Sequence, residues 1–329
     1  MNPLNWGIIG PGNIAHDFAR DLQRIHPSQR IAAVLGNRAE HVEAFNKEFN
    51  VPAGFTDLDL FIKNSRVDIV YISTPHPMHF KEALACLENN IHVLCEKPLT
   101  LNATQCEKLI AASEKYQCFL MEAMWIRFLP GIQKVLSIIK EGAIGNVISI
   151  KASMGYKAPK NESNRYFNPD LGGGSLLDLG IYPVFLAQLL LGKPSGVIAG
   201  GKLSDKGVDE TCAILMHYEQ GQHALLHSSI ITQTDQPAII EGDKGVIKIL
   251  NPWFEKSPGI EWQVYDKEKQ HFPVDWEGHG LQFETEEVLQ CIDDGKIESS
   301  LFSHSFSLQL SETLDEIRKQ LNVTYDKYE

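Results

Sequence analysis

The sequence predicts an α/β protein in two parts: an N-terminal doubly wound parallel sheet, then a C-terminal α+β domain with a large, mainly antiparallel open sheet. Three observations carry this. Short apolar strands alternate with amphipathic helices through the first third, beginning at a glycine-rich turn, Gly10-Pro11-Gly12-Asn13-Ile14-Ala15. That rhythm is the one right-handed βαβ units produce. The later part is a run of alternating strands with few helices between them, as in Cys212-Ala213-Ile214-Leu215-Met216-His217-Tyr218. A length of 329 residues suits two domains, and the change of rhythm sets them at 1–122 and 123–329.

Composition narrows the partners. Hydrophobic residues make up 43% and charged residues 22%, the balance of an ordinary globular protein. The net charge of −12, with no lysine- or arginine-rich run, disfavours nucleic acid and anionic membrane surfaces, both of which need a concentrated basic face. The first residues carry neither a basic leader nor a long apolar core, and no apolar run is expected to span a membrane. The six cysteines lack C-x-x-C pairing and sit in apolar segments, so reduced thiols in a cytoplasmic protein and no metal site are expected.

Leu4 to Ile9 reads as the first strand, and the helix after it runs through Leu22. Gly10 permits a tight turn, Gly12 lets backbone approach a pyrophosphate, and Ala15 keeps helix near sheet. Asn13 and Ile14 open the helix, whose N-terminus would face phosphates. This is a dinucleotide-binding turn in its required context, strand before and helix after. The second strand, Ile31 to Leu35, ends in Gly36-Asn37-Arg38 without the acid that usually accepts from the ribose hydroxyls of NAD. Arg38 suits a 2′-phosphate instead, so Asn37 and Arg38 point to NADP over NAD. Ala39 to Phe49 reads as the next helix.

Val67 to Ile72 is a strand followed by Ser73-Thr74-Pro75-His76-Pro77-Met78-His79, expected as an ordered loop along the ribose and nicotinamide. His79 then precedes a helix, Phe80 to Glu88, as a residue lining the site. Ile91 to Cys95 is a strand that stops at Glu96-Lys97-Pro98. The proline keeps Lys97 extended and makes the Lys97-Pro98 bond one that is able to be cis. An ammonium is thereby held at the carboxyl end of a parallel strand, where ligands bind in such sheets. A helix from Ala103 to Lys115 and a strand from Cys118 to Glu122 complete this part.

After a helix from Pro130 to Lys140 come strands at 147–154, 197–203, 211–218, 223–231, 238–241, 246–250 and 261–265, then helices at 281–293 and 305–321. A sheet this large has a second face to cover, and a two-fold interface between copies is expected there. One segment interrupts the strands: Gly172-Gly173-Gly174-Ser175-Leu176-Leu177-Asp178-Leu179-Gly180-Ile181-Tyr182. Ser175 is the expected cap of a helix to Leu191. Asp178 and Tyr182, four apart, would share one face. A buried aspartate needs a partner, and Lys97 is a natural one. Spacing alone leaves open whether Asp178 and Tyr182 serve chemistry or only cap and core.

Taken together, the glycine turn at 10–15, Glu96-Lys97-Pro98, and the Gly172-to-Tyr182 segment resemble the glucose-fructose oxidoreductase, inositol dehydrogenase and rhizopine-catabolism (Gfo/Idh/MocA) family over essentially the whole chain. Met121-Glu122-Ala123-Met124-Trp125-Ile126-Arg127-Phe128-Leu129-Pro130, with Gly278-x-Gly280-x-x-x-Glu284 and Leu314-Asp315-Glu316-Ile317-Arg318, looks like the dimeric trans-1,2-dihydrobenzene-1,2-diol dehydrogenase branch. The resemblance implies an NADP- or NAD-dependent oxidoreductase acting on CH-OH groups of a sugar, polyol or diol, working as a homodimer or larger homo-oligomer through the C-terminal sheet. It carries over Lys97, Asp178 and Tyr182 as the catalytic group, with Glu96 in the cofactor-facing strand end and Trp125 and Arg127 lining the nicotinamide or substrate. Inositol-type members have histidine where this chain has Tyr182, which disfavours inositol. The phenol's ordinary pKa near 10 is too high for work near neutrality, and a neighbouring ammonium would lower it. Two other activities occur among relatives: glycoside cleavage through transient oxidation by a held NAD, and non-catalytic dinucleotide sensing. Retention of Lys97, Asp178 and Tyr182 argues against the sensor.

Overall fold

A computed structural model describes residues 3–160 and 164–329. The chain forms two compact units, Met1–Arg127 with Glu277–Leu308, and Phe128–Trp276 with Gln309–Glu329. It therefore passes between units three times rather than once at 122/123. The reason is long-range bonding that no linear reading reveals. The Asp21 carboxylate accepts the backbone N–H groups of His279 (3.0 Å) and Leu281 (3.2 Å), and the Leu120 N–H donates to the Ile297 carbonyl at 3.0 Å.

The first unit is a six-stranded, wholly parallel sheet: β1 (Asn5–Ile9), β2 (Arg30–Leu35), β3 (Ala53–Phe55), β4 (Ile69–Ile72), β5 (His92–Glu96) and β6 (Leu120–Ala123). The strand order is β3-β2-β1-β4-β5-β6, so the winding reverses between β1 and β4. Ligands bind at that reversal in such sheets. The helices are α1 (Asn13–Ile25), α2 (Ala39–Phe49), α3 (Leu58–Asn64), α4 (His76–Glu88) and α5 (Ala103–Tyr116). Strands β1, β4 and β5 are buried along almost their whole length, as strands covered on both faces must be. Strand β3 and α3 are additions to the predicted elements; three residues, Ala53-Gly54-Phe55, are too few to establish a period. The expected loop through His79 is also corrected. Helix α4 already begins at His76, because Pro75 and Pro77 fall at its entry, where a missing N–H costs nothing.

The second unit holds α6 (Pro130–Lys140) and an eight-stranded sheet, order β14-β13-β12-β11-β7-β10-β9-β8. Its strands are β7 (Val147–Gly155), β8 (Gly196–Leu203), β9 (Asp209–His217), β10 (His223–Ser229), β11 (Ala238–Gly242), β12 (Gly245–Ile249), β13 (Gly259–Val264) and β14 (Gln270–Pro273). Every pairing is antiparallel except β7 with β10. Helix α7 (Ile181–Leu191) lies against β7 and β10. Of the last two helices, α8 (Gln282–Asp293) belongs to the first unit, and α9 (His304–Leu321) begins in the first and ends in the second. Contrary to expectation, Pro169–Leu191 is long and apolar enough to cross a membrane, but 83% of its apolar window is buried within the fold. Its apolarity is that of a core helix. The Lys97-Pro98 peptide bond is cis, as is Asn251-Pro252.

Candidate active site

In the first unit the carboxyl ends of β1, β4 and β5 are joined into one rim. Gly10, at φ +89°, makes the turn after β1, and a Cβ there would come within 2.7 Å of the Thr74 side chain. The Ser73 hydroxyl donates to the Gly10 carbonyl at 2.9 Å. The His79 ring lies 2.8 Å from the Pro98 carbonyl through Nδ1 and 2.8 Å from the Thr74 carbonyl through Nε2. A neutral imidazole donates through one nitrogen only. Burial pushes His79 below its ordinary pKa, while the two carbonyls favour the proton. The glycine turn, the Ser73–Pro75 stretch and the Lys97-Pro98 turn are thus bonded in sequence along one edge. Lys97 itself is half-buried.

Gly12 differs from Gly10: nothing lies within 4 Å of a Cβ built on it, and it is the exposed first residue before α1 with no side-chain cap. The first N–H groups of α1, at Asn13 and Ile14, therefore open onto space, which fits a phosphate. Asn37 and Arg38 are exposed at the end of β2, Arg38 opening α2. Ala15 is fully buried against the sheet, as a close helix requires.

Four further residues expected to line the cofactor are buried and held by partners within the first unit. Glu96 is buried and accepts the Tyr71 hydroxyl at 2.5 Å. His76 is buried with its ring 5.8 Å from that of His79. Arg127 is buried and its Nε donates to the Leu301 carbonyl at 2.9 Å, a bond within the unit. His79 works through backbone carbonyls, as above. Trp125 is half-buried on the 3₁₀ turn Trp125–Phe128.

In the second unit the three-glycine segment is a packing device. A Cβ on Gly173 would meet the Arg165 and Tyr166 carbonyls at 2.5 and 2.7 Å, and one on Gly174 would meet Asp209 Oδ1 at 2.3 Å. Ser175 does not cap; its hydroxyl donates to Asp209 at 2.7 Å, and Asp209 also accepts the Leu176 N–H at 2.7 Å. Burial pushes Asp209 up to about 6. Leu176–Gly180 is a π-helical turn leading into α7, so Asp178 and Tyr182 are not related by plain α-helical spacing. Such turns concentrate at functional sites.

Asp178, 4% exposed, pairs with Arg165 at 3.0 Å. Arg165 stands 4.4 Å from the Tyr166 ring centroid, and that ring tilts against Tyr156 at 5.6 Å. Within its own unit, then, Asp178 meets an arginine where a lysine was expected. Tyr182 is buried in the first turn of α7. Sequence reasoning assigned no partner role to Arg165, 13 residues before Asp178 and on a separate 3₁₀ turn; the run Arg165-Tyr166 before the glycines was its only signal.

Comparison with known proteins accords with this geometry. Residues 4–124 match the oxidoreductase family with an NAD-binding Rossmann fold, GFO/IDH/MocA, and residues 132–248 match the GFO/IDH/MocA C-terminal domain. The trans-1,2-dihydrobenzene-1,2-diol dehydrogenase of Xenopus tropicalis is 34% identical over 97% of this chain and 98% of its own. Among solved structures, aldose-aldose oxidoreductase from Caulobacter crescentus, complexed with glycerol, superposes with a TM-score of 0.87 at 24% identity, covering 98% of both chains. A 3-ketoreductase from Actinomadura kijaniata, in complex with NADP and TDP-benzene, gives 0.85 at 24% identity over 97% of this chain and 98% of its own. The chain therefore belongs to the GFO/IDH/MocA family of NAD-binding oxidoreductases.

Proposed function

We propose that this protein is an NADP(H)-dependent oxidoreductase for a secondary alcohol or carbonyl of a sugar, polyol or diol, with Tyr182 as acid/base assisted by Lys97 and Asp178. The observation that carries it is the bonded rim: the Gly10 turn tied to Ser73, and Thr74 tied through His79 to the Lys97-Pro98 turn. A cation is fixed on the same edge as a nucleotide turn. The nicotinamide, when bound, supplies the two-electron acceptor or donor. The chain's own part is proton chemistry. In oxidation Tyr182 takes the hydroxyl proton of the substrate, and the Lys97 charge favours the phenolate that does so. Asp178, held by Arg165, orients the hydroxyl.

The names of relatives support the substrate class: a diol dehydrogenase, an aldose oxidoreductase crystallised with glycerol, and a ketoreductase crystallised with NADP. The exposed Arg38 and the lack of an acid after β2 support NADP over NAD. The test is replacement of the proton machinery. Lys97→Met and Tyr182→Phe should each lose roughly 100- to 10,000-fold in turnover while NADPH binding, followed by fluorescence, is kept. Intact turnover in either variant overturns the assignment.

Pairing of two copies through the eight-stranded sheet is part of the same reading. Ile198, Leu215 and Leu225 stand side by side in register across β8, β9 and β10, and Ile198 and Leu225 are exposed. An apolar row on an open sheet face suits a two-fold interface. Leu225→Glu should convert the sedimenting species to monomer. The six cysteines are buried thiols outside any disulfide, which supports a reducing, cytoplasmic setting.

A further inference from the structure

The first unit buries three carboxyl groups around the strand end that carries Lys97: Glu96, Glu122 and Glu284. Glu122 comes from β6, the strand beside β5. One of its oxygens accepts the Leu99 N–H at 2.9 Å, two residues beyond Lys97, and the carboxyl also takes the Ser307 hydroxyl. Its other oxygen, fully buried, has no hydrogen-bond partner among the described residues. A buried carboxylate left half-satisfied is costly unless a cation answers it, and Lys97, two residues from the bonded Leu99, is a cation whose charge favours the ionised form.

We propose that Glu122 is a positioning residue for Lys97: ionised, it anchors the Pro98-Leu99 turn and holds the ammonium in place, and protonated, it keeps the Leu99 bond but releases the ammonium. The proposal rests on the catalytic reading of Lys97 given above. The groups facing Glu122 are Glu96, Lys97 and Cys95 from β5 and its end, the Leu99 N–H, and Ser307 from α9. Behind Glu96 lie the Tyr71 hydroxyl and the fully buried Glu284. Burial raises Glu122 to about 7, with Glu96 adding to the rise; Leu99, Ser307 and Lys97 oppose it. Turnover should therefore rise with pH through about 7 as Glu122 ionises.

The test uses two variants outside the proton-transfer group. Glu122→Gln keeps an acceptor for Leu99 and Ser307 but has no charge. It should lose the limb near pH 7 and turn over roughly tenfold more slowly at pH 8 with NADPH affinity unchanged. Ser307→Ala removes one donor to the ionised form, so its limb should move to higher pH. The carboxyl ¹³C shift of Glu122 in the whole protein reads the same titration directly, and Lys97→Met should move it upward. Wild-type pH profiles in both variants, with Lys97→Met still inactive, would overturn the positioning role and leave the reading of Lys97 standing. Full turnover in Lys97→Met would remove that reading itself.

Discussion

Arg165 reaches Asp178 at 3.0 Å while remaining half in solvent itself, so a nearly buried carboxylate is answered by a side chain still open to solvent. Replacing Arg165 by leucine takes the guanidinium from that carboxylate. Stability should fall by about 1–3 kcal/mol, at the lower end because the arginine is solvated. Turnover should fall with it, and Arg165→Lys should restore part of the melting temperature but less of the activity, since an ammonium lacks the forked geometry. Thermal denaturation and steady-state kinetics check both.

Gly10 and Gly12 should respond oppositely to alanine. At Gly10 the backbone has φ +89° and the new methyl would collide with Thr74, so Gly10→Ala should destabilise the fold by about 1–3 kcal/mol. At Gly12 nothing stands within 4 Å. Gly12→Ala should melt like the parent yet bind NADPH more weakly, because the methyl fills the space a pyrophosphate needs. Unchanged affinity would mean that phosphate does not lie over Gly12.

Arg38→Ala should weaken NADPH binding by roughly tenfold or more, the worth of a charge-assisted hydrogen bond, and leave NADH binding nearly as it was. Titration of both nucleotides against both proteins measures this. Equal losses would show that Arg38 does not read the 2′-phosphate.

Asp209 gives a pH signature of stability. Its ordinary value is 3.8, and burial raises it to about 6 in the fold. Between those values the folded chain keeps a proton that the unfolded chain has lost, so this group's contribution falls as pH rises from about 4 to about 6 and is level above that. Asp209→Asn lacks the titration. Its melting temperature relative to the parent should climb across the same window, and a pH-independent difference would refute the assignment.

The nucleotide half was readable because its signals are local. A glycine turn between strand and helix, and a proline locking a lysine at a strand end, are statements about adjacent residues. The α2 and α6 boundaries coincide with prediction for the same reason. Elements too short to repeat a period several times, such as β3 and β14, left no pattern. The π-helical turn at Leu176–Gly180 is invisible to spacing rules that assume 3.6 residues per turn. The partners of Glu122 and Asp21 include residues far along the chain, Arg165 meets Asp178 from a separate 3₁₀ turn, and no motif at either end announces the pairing. The burial of Arg127 follows the same logic: its acceptor, the Leu301 carbonyl, lies 174 positions away.

The return of Glu277–Leu308 to the first unit means the nucleotide module is not a cassette. A fragment ending at Arg127 would take from the Asp21 carboxylate, the Leu120 N–H and the Arg127 guanidinium the bonds they make to the distant segment. Gene fusions or domain exchanges that cut near residue 122 should therefore yield insoluble product. Transplanting the module intact requires carrying both pieces, with the strand-rich part left as an insertion between them.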